Sequence, residues 1–138
     1  MKAKLDMKTI QALNLFNNIT KVKADFCFKY NGMLVFSVSG LNINRLKPNQ
    51  IQFLGKKLNS RIKIIRTPLT KSKDELESFV KYLVPYTYRK LELKEKELIF
   101  FIPGTRARAL FIGRDKTRLN ELTSALKNFF DIEKISIK

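Results

Sequence analysis

The stretch Thr105-Arg106-Ala107-Arg108-Ala109-Leu110-Phe111-Ile112-Gly113-Arg114-Asp115-Lys116-Thr117-Arg118-Leu119 reads as two short helices joined by a tight loop, with five basic residues. Gly113 admits positive φ and presents no side chain to keep a ligand's backbone away. The helix after it offers free N–H groups and partial positive charge to an anion. Arg114 and Lys116 flank that point, and Ile112 and Leu119 are placed to floor an apolar groove. Thr105 is the expected cap of the first helix and Asp115 the expected N-cap of the second.

Working outward, the same order of elements occurs twice. Upstream of the loop, Leu76, Phe79, Val80, Leu83 and Val84 form a helical stripe that Ser72 or Asp74 opens and Pro85 ends. Leu91 and Leu93 alternate with charged residues, and Leu98 to Ile102 reads as a central strand. Downstream, Leu119, Leu122, Leu126 and Phe129 recur at helical spacing, and Ile132, Ile135 and Ile137 form a last strand. In the preceding half, Ile10, Leu13 and Phe16 share a helical face. Val22, Ala24, Phe26 and Phe28 alternate as the inward face of a strand, which puts Cys27 on the polar face. Asn31-Gly32 is a hairpin turn into Met33 to Val38, a more central strand. Ile51, Leu54 and Leu58 follow as a helix, and Ile62, Ile64 and Ile65 as a strand. The expected fold class is α+β, two units of about 69 residues, each a three-stranded sheet covered by helices on one face.

Charge narrows the function classes. The 138 residues hold 28 Lys+Arg and 12 Asp+Glu, a net charge of +16. A small domain needs a net charge of only about 2–8 for solubility, so the excess points to a polyanionic partner. Residues 1–69 contribute +11 and residues 70–138 contribute +5. With no His, a Ser-His-Asp triad, a Cys-His pair and a His-ligated metal are excluded. Cys27 is the one cysteine, so no intrachain disulfide or Cys-ligated zinc forms. Glu92, Glu95 and Glu97 straddle a hairpin and read as a solvated rim, so no catalytic residue, metal or cofactor is expected. Tyr86 and Tyr88 are weak candidates for stacking on bases. The basic start Met1 to Asp6 has no apolar run after it, so no signal peptide is expected. No apolar stretch approaches the roughly 20 residues of a membrane span, and the basic residues are not gathered on one amphipathic helix. A cytoplasmic protein without a membrane partner is the expectation.

The loop and the repeated order resemble the KH domain, whose Gly-x-x-Gly loop clamps about four nucleotides of backbone. Both halves follow the helix-strand-strand-helix-helix-strand order of the bacterial-type, or type II, KH fold. A tandem pair with little else is similar to archaeal NusA-type transcription factors. The pieces that carry this are Val84-Pro85, Pro103-Gly104-Thr105-Arg106-Ala107-Arg108-Ala109 and Ile112-Gly113-Arg114-Asp115-Lys116. The resemblance implies a first KH-like domain, 1–69, and a second, 70–138, that holds the loop. It implies single-stranded RNA as partner and a role in transcription elongation or termination. The RNA-binding residues it implies are Arg106, Arg108, Ile112, Gly113, Arg114, Lys116, Arg118 and Leu119, with Arg45 and Lys47 as secondary contacts to RNA backbone. The sequence departs from the family at Lys116, which stands where the final loop glycine is expected, and at Asp115, a carboxylate on the phosphate path. In the first unit Asn44-Arg45-Leu46-Lys47-Pro48-Asn49 has no glycine, and Pro48 removes an N–H donor. The alternative is a KH-fold scaffold that docks on RNA polymerase or the ribosome with little sequence-specific RNA reading.

Overall fold

The computed structural model describes residues 7–138. The amino-terminal segment Met1 to Asp6, read above for a leader, lies outside them. The chain divides into two compact units between Thr67 and Pro68. Each unit holds one three-stranded sheet, ordered β1-β2-β3 in the first and β4-β5-β6 in the second. The architecture is α+β.

In the first unit, α1 (Met7–Thr20) precedes the hairpin β1 (Ala24–Tyr30) and β2 (Met33–Val38). Asn31 and Gly32 turn the hairpin with φ of 54° and 75°, the left-handed pair that matches the twist of the strands. Then come a 3-10 turn at Ile43–Arg45, α2 (Pro48–Leu58) and β3 (Arg61–Arg66), which runs parallel to β2. Ala12 and Phe16 of α1 and Leu54 of α2 meet Cys27, Phe36 and Val38 of the sheet in one apolar cluster. Phe16 stacks on Phe36 with ring centroids 4.7 Å apart. Each such ring taken from water stabilises the fold by about 1.5–3 kcal/mol.

Two expectations for this unit are corrected. The pairing of β1 with β2 shifts between Ala24 and Phe26, a β-bulge at Asp25. One extra residue reverses the inside–outside parity of everything after it. Val22, Ala24 and Cys27 therefore share the helix-covered face, while Phe26 and Phe28 turn to the other face and stay half-buried. Cys27, expected on the polar face, is buried. The Asp25 carboxylate accepts a 2.6 Å hydrogen bond from the Thr67 hydroxyl, which fixes the bulge to the end of β3. The second correction concerns the helix pair expected between β2 and β3. Its first member is reduced to the single 3-10 turn, and Lys47 is extended at φ −113°, ψ 139° because it precedes Pro48.

The second unit repeats the order with both helices present. α3 (Lys73–Leu83) is capped by Ser72, whose hydroxyl accepts from the Glu75 N–H, so Ser72 and not Asp74 opens it. β4 (Lys90–Lys94) and β5 (Glu97–Phe101) form an antiparallel hairpin, α4 (Thr105–Ile112) and α5 (Thr117–Phe129) follow, and β6 (Lys134–Ile137) pairs parallel to β5. The stripe of α3 buries Leu76, Phe79, Val80 and Leu83, and Phe79 meets Phe129 and Phe130 at 5.1 and 5.5 Å. Phe100 of β5 contacts Phe111 of α4 at 4.7 Å and Tyr88 at 5.3 Å. This aromatic chain seats both α4 and the segment before β4 on the sheet. Burial, with the nearby Glu77 carboxylate, raises the Tyr88 hydroxyl above the ordinary tyrosine value. Tyr88 thus belongs to the packing of the unit.

Candidate nucleic-acid interface

The segment that joins β5 to α5 begins with a correction. Gly104, at φ 89° and ψ 141°, is the N-cap of α4 and supplies no side-chain cap, and Thr105 is the first helical residue. Arg106 and Arg108 lie in the first turn, both exposed. The Arg108 Nε donates a 2.8 Å bond to the Ile102 carbonyl, which ties α4 back to the end of its strand. Arg106 is exposed and has no such tie among the described residues, so the two arginines differ in how firmly they are held. Ile112 and Leu119 are half-buried, and Leu110 is 46% exposed.

The loop itself is built from three unusual backbones within four residues. Gly113 has φ 80° and ψ 169°, a region that belongs to glycine, and its N–H closes α4 on the Ala109 carbonyl at 2.9 Å. Asp115 and Lys116 follow in the left-handed region at φ 55° and 62°. The Lys116 N–H reaches back to the Gly113 carbonyl at 3.2 Å, and the Thr117 hydroxyl donates to the Arg114 carbonyl at 2.6 Å. The N-cap of α5 is Lys116, with no side-chain cap bond, so Asp115 is not the cap that the sequence suggested. The first turn of α5 thus starts from a residue whose own side chain makes no cap bond, beside exposed Arg114 and Lys116.

Arg118 behaves differently from its basic neighbours. One terminal guanidinium nitrogen donates a 2.8 Å bond to the Leu110 carbonyl at the end of α4. The guanidinium carbon lies 4.7 Å from the centre of the Tyr86 ring. A Cβ added at Gly113 would sit 2.8 Å from the Arg118 Cγ and 3.0 Å from both its Cβ and its backbone nitrogen. The glycine is thus required by conformation and by the close approach of Arg118. Sequence reading missed this triangle, because nothing in spacing or composition links Tyr86 to Arg118 across a strand hairpin and a helix.

In the first unit the corresponding place has none of these features. Arg45 ends the 3-10 turn, exposed, with a long 3.5 Å bond to the Asn42 carboxamide. Lys47 is exposed, and its backbone N–H donates to the Gln50 side chain at 3.2 Å, which begins α2 without help from a ligand. Arg45 thus closes a 3-10 turn and Lys47 stands in the extended connection after it, and neither is in a left-handed turn. Among the described residues no cluster of three or more His, Cys, Asp or Glu could hold a metal ion. Among them, too, no helix is long and apolar enough to cross a membrane.

Comparison with known proteins bears on the fold. The crystal structure of APE1850 superposes with a TM-score of 0.64, covering 97% of this chain and 100% of its own at 22% identity. That likeness supports the α+β fold alone. No protein-family model matches the chain, and no curated protein does.

Proposed function

We propose that this protein is a non-enzymatic, single-stranded RNA-binding protein, a tandem type II KH pair acting in transcription elongation or termination in the manner of NusA-type factors. The observation that carries the reading is the junction of α4 and α5. There a glycine in a glycine-only conformation leads into an uncapped helix N-terminus flanked by Arg114 and Lys116. Such a junction offers backbone N–H groups and two exposed cations to a phosphate, which recognises nucleic acid by its backbone. The net charge of +16 supplies the long-range attraction. The sheet order in both units supports the KH assignment: a central strand antiparallel to the strand before it and parallel to the one after the helices. The absence of His removes the commonest general base, consistent with binding as the whole activity.

The test is Arg114→Ala combined with Lys116→Ala, titrated against short single-stranded RNAs. Loss of two charge-assisted contacts weakens binding by about 1–3 kcal/mol. Stability stays within about 0.5 kcal/mol, since both side chains are exposed. A double variant that binds every RNA as the parent does removes the loop from the RNA site. The scaffold reading has one observation in its favour, the extended Lys47-Pro48 connection where the first unit would need a loop. RNA binding by the isolated protein favours the first reading. Binding to polymerase or ribosome with no affinity for free RNA favours the second.

A further inference from the structure

The Gly113 loop owes its shape to residues outside it, and the chain of contacts can be followed to its origin. Pro85 ends the helical run of α3, and the segment through Tyr88 crosses to β4. Tyr88 anchors that segment edge-on against Phe100, itself fully buried. Two residues earlier, Tyr86 is half-buried with its ring 4.7 Å from the Arg118 guanidinium carbon. Arg118 in turn bonds the Leu110 carbonyl and lies where a side chain on Gly113 would have to go. Tyr86, Arg118 and Gly113 thus form a stack that begins on the core of the sheet and ends at the loop.

We infer that Tyr86 and Arg118 are positioning residues for the Gly113 loop: the ring holds the guanidinium against the Leu110 carbonyl, the Arg118 Cβ and Cγ are thereby kept over Gly113, and the loop keeps its left-handed turn because of it. This rests on the RNA-binding reading for its functional consequence. It reassigns both side chains, one from a stacking platform for bases and the other from a phosphate contact, to the support of the residues that do bind. Planarity is what the arrangement uses. A guanidinium can lie over a ring and still donate in its own plane to a carbonyl, which an ammonium cannot do.

The experiment compares Tyr86→Ala, Tyr86→Phe, Arg118→Lys and the Tyr86→Ala/Arg118→Lys pair in the full chain. Two readouts are used: affinity for a fluorescein-labelled oligouridylate, and hydrogen exchange at the Gly113 and Lys116 amides. Both amides are bonded within the turn, to Ala109 and Gly113 respectively. Tyr86→Ala is expected to speed exchange at both amides and to raise the dissociation constant about fivefold, the scale of one cation–π contact. Tyr86→Phe restores both values. Arg118→Lys, with charge retained, loses as much as Tyr86→Ala, and the pair loses no more than either alone. If Arg118 met phosphate directly, Arg118→Lys would bind nearly as the parent and the losses would add, which overturns the proposal. Parent exchange rates in Tyr86→Ala overturn it as well. If Tyr86→Ala does not fold, Arg118→Lys and Tyr86→Phe decide the matter between them. A parent protein with no affinity for the oligouridylate strikes the RNA reading, and the exchange contrast still decides whether the stack positions the loop.

Discussion

Replacing Gly113 by alanine asks the most of the structure, because two independent costs fall on one methyl group. The first is conformational. At φ 80° and ψ 169° the residue occupies a region that L-residues avoid, at a cost of about 1–3 kcal/mol. The second is steric. The new Cβ would stand 2.8 Å from the Arg118 Cγ and 3.0 Å from the Arg118 Cβ and backbone nitrogen. The Cγ can retreat, but that pulls the guanidinium off the Leu110 carbonyl and away from Tyr86. The backbone nitrogen is part of the first turn of α5 and cannot retreat without moving the helix. Against this, alanine lowers the entropy of the unfolded chain, worth about 0.4–1 kcal/mol in its favour. A net loss of about 2–4 kcal/mol follows.

For a unit of this size each kcal/mol shifts the midpoint by roughly 4–8 °C, so the second unit should melt roughly 8–32 °C lower. Gly104→Ala is the control. It too carries positive φ, 89°, but an added Cβ there meets nothing within 4 Å. Its midpoint should fall between those of the parent and Gly113→Ala. Thermal melts of the three proteins, followed by circular dichroism, read the order directly. A Gly113→Ala protein that melts with the parent refutes the loop conformation. One that melts with Gly104→Ala refutes the contact with Arg118.

Lys116→Gly relieves a left-handed backbone at φ 62° and should raise stability by about 0.5–1 kcal/mol in a urea titration, with an unchanged or lower midpoint refuting the strain. Affinity for single-stranded RNA should fall about a hundredfold between about 50 and about 200 mM salt if some five phosphates are neutralised, and a flat response refutes the electrostatic argument. In acid, Glu97 is the group to watch: the hydrogen bond from the Ser136 hydroxyl holds its carboxyl below the ordinary value against the opposing desolvation, with Lys134, Lys138 and Lys94 adding to the lowering. A depressed carboxylate contributes stability that is present above its unfolded pKa and is lost as pH falls through the folded value. Glu97→Gln should therefore flatten the acid limb of the stability profile, and an unchanged limb would show that the Glu97–Ser136 link across β5 and β6 contributes nothing.

How far the fold was legible depends on what each element rests on. Hydrophobic period alone located the helices of Phe16, Leu54, Phe79 and Leu126, because each buries a stripe and needs no partner to show it. The Asn31-Gly32 hairpin was legible because both residues are chosen for positive φ. Period failed at Asp25, where a bulge shifts the register by one and exchanges Cys27 for Phe26 and Phe28 on the helix-covered face. A bulge leaves no mark in alternation when both faces of a strand carry apolar residues. Capping chemistry succeeded at Ser72 and failed at Thr105 and Asp115. There the N-caps are Gly104, which has no side chain, and Lys116, which enters α5 from the left-handed region and makes no side-chain cap bond. Within the loop, the positive φ of Gly113 and the exposed cations Arg114 and Lys116 beside it were legible from local sequence. The Tyr86–Arg118 contact was not, since it depends on where a hairpin delivers the chain.

The two units share a sheet order but cannot share a mechanism at the corresponding place. In the second, α4 stops at a glycine and the chain reverses through two left-handed residues, leaving α5 without a side-chain cap. In the first, Pro48 forces Lys47 into an extended conformation and occupies the first helical position itself. The Gln50 side chain then takes up the Lys47 N–H. A phosphate arriving there meets one fewer N–H, because proline has none to give, and finds another already satisfied. Yet this half of the sequence carries +11 of the +16. Charge without a shaped turn attracts a polyanion and cannot tell one sequence from another. On the RNA reading, Arg45→Ala with Lys47→Ala therefore lowers affinity by a similar factor for every RNA tested, whereas changes at the Gly113 loop also alter the ranking among RNAs. A selective loss of one sequence in the Arg45/Lys47 variant would move the reading element to the first unit and overturn this division of labour.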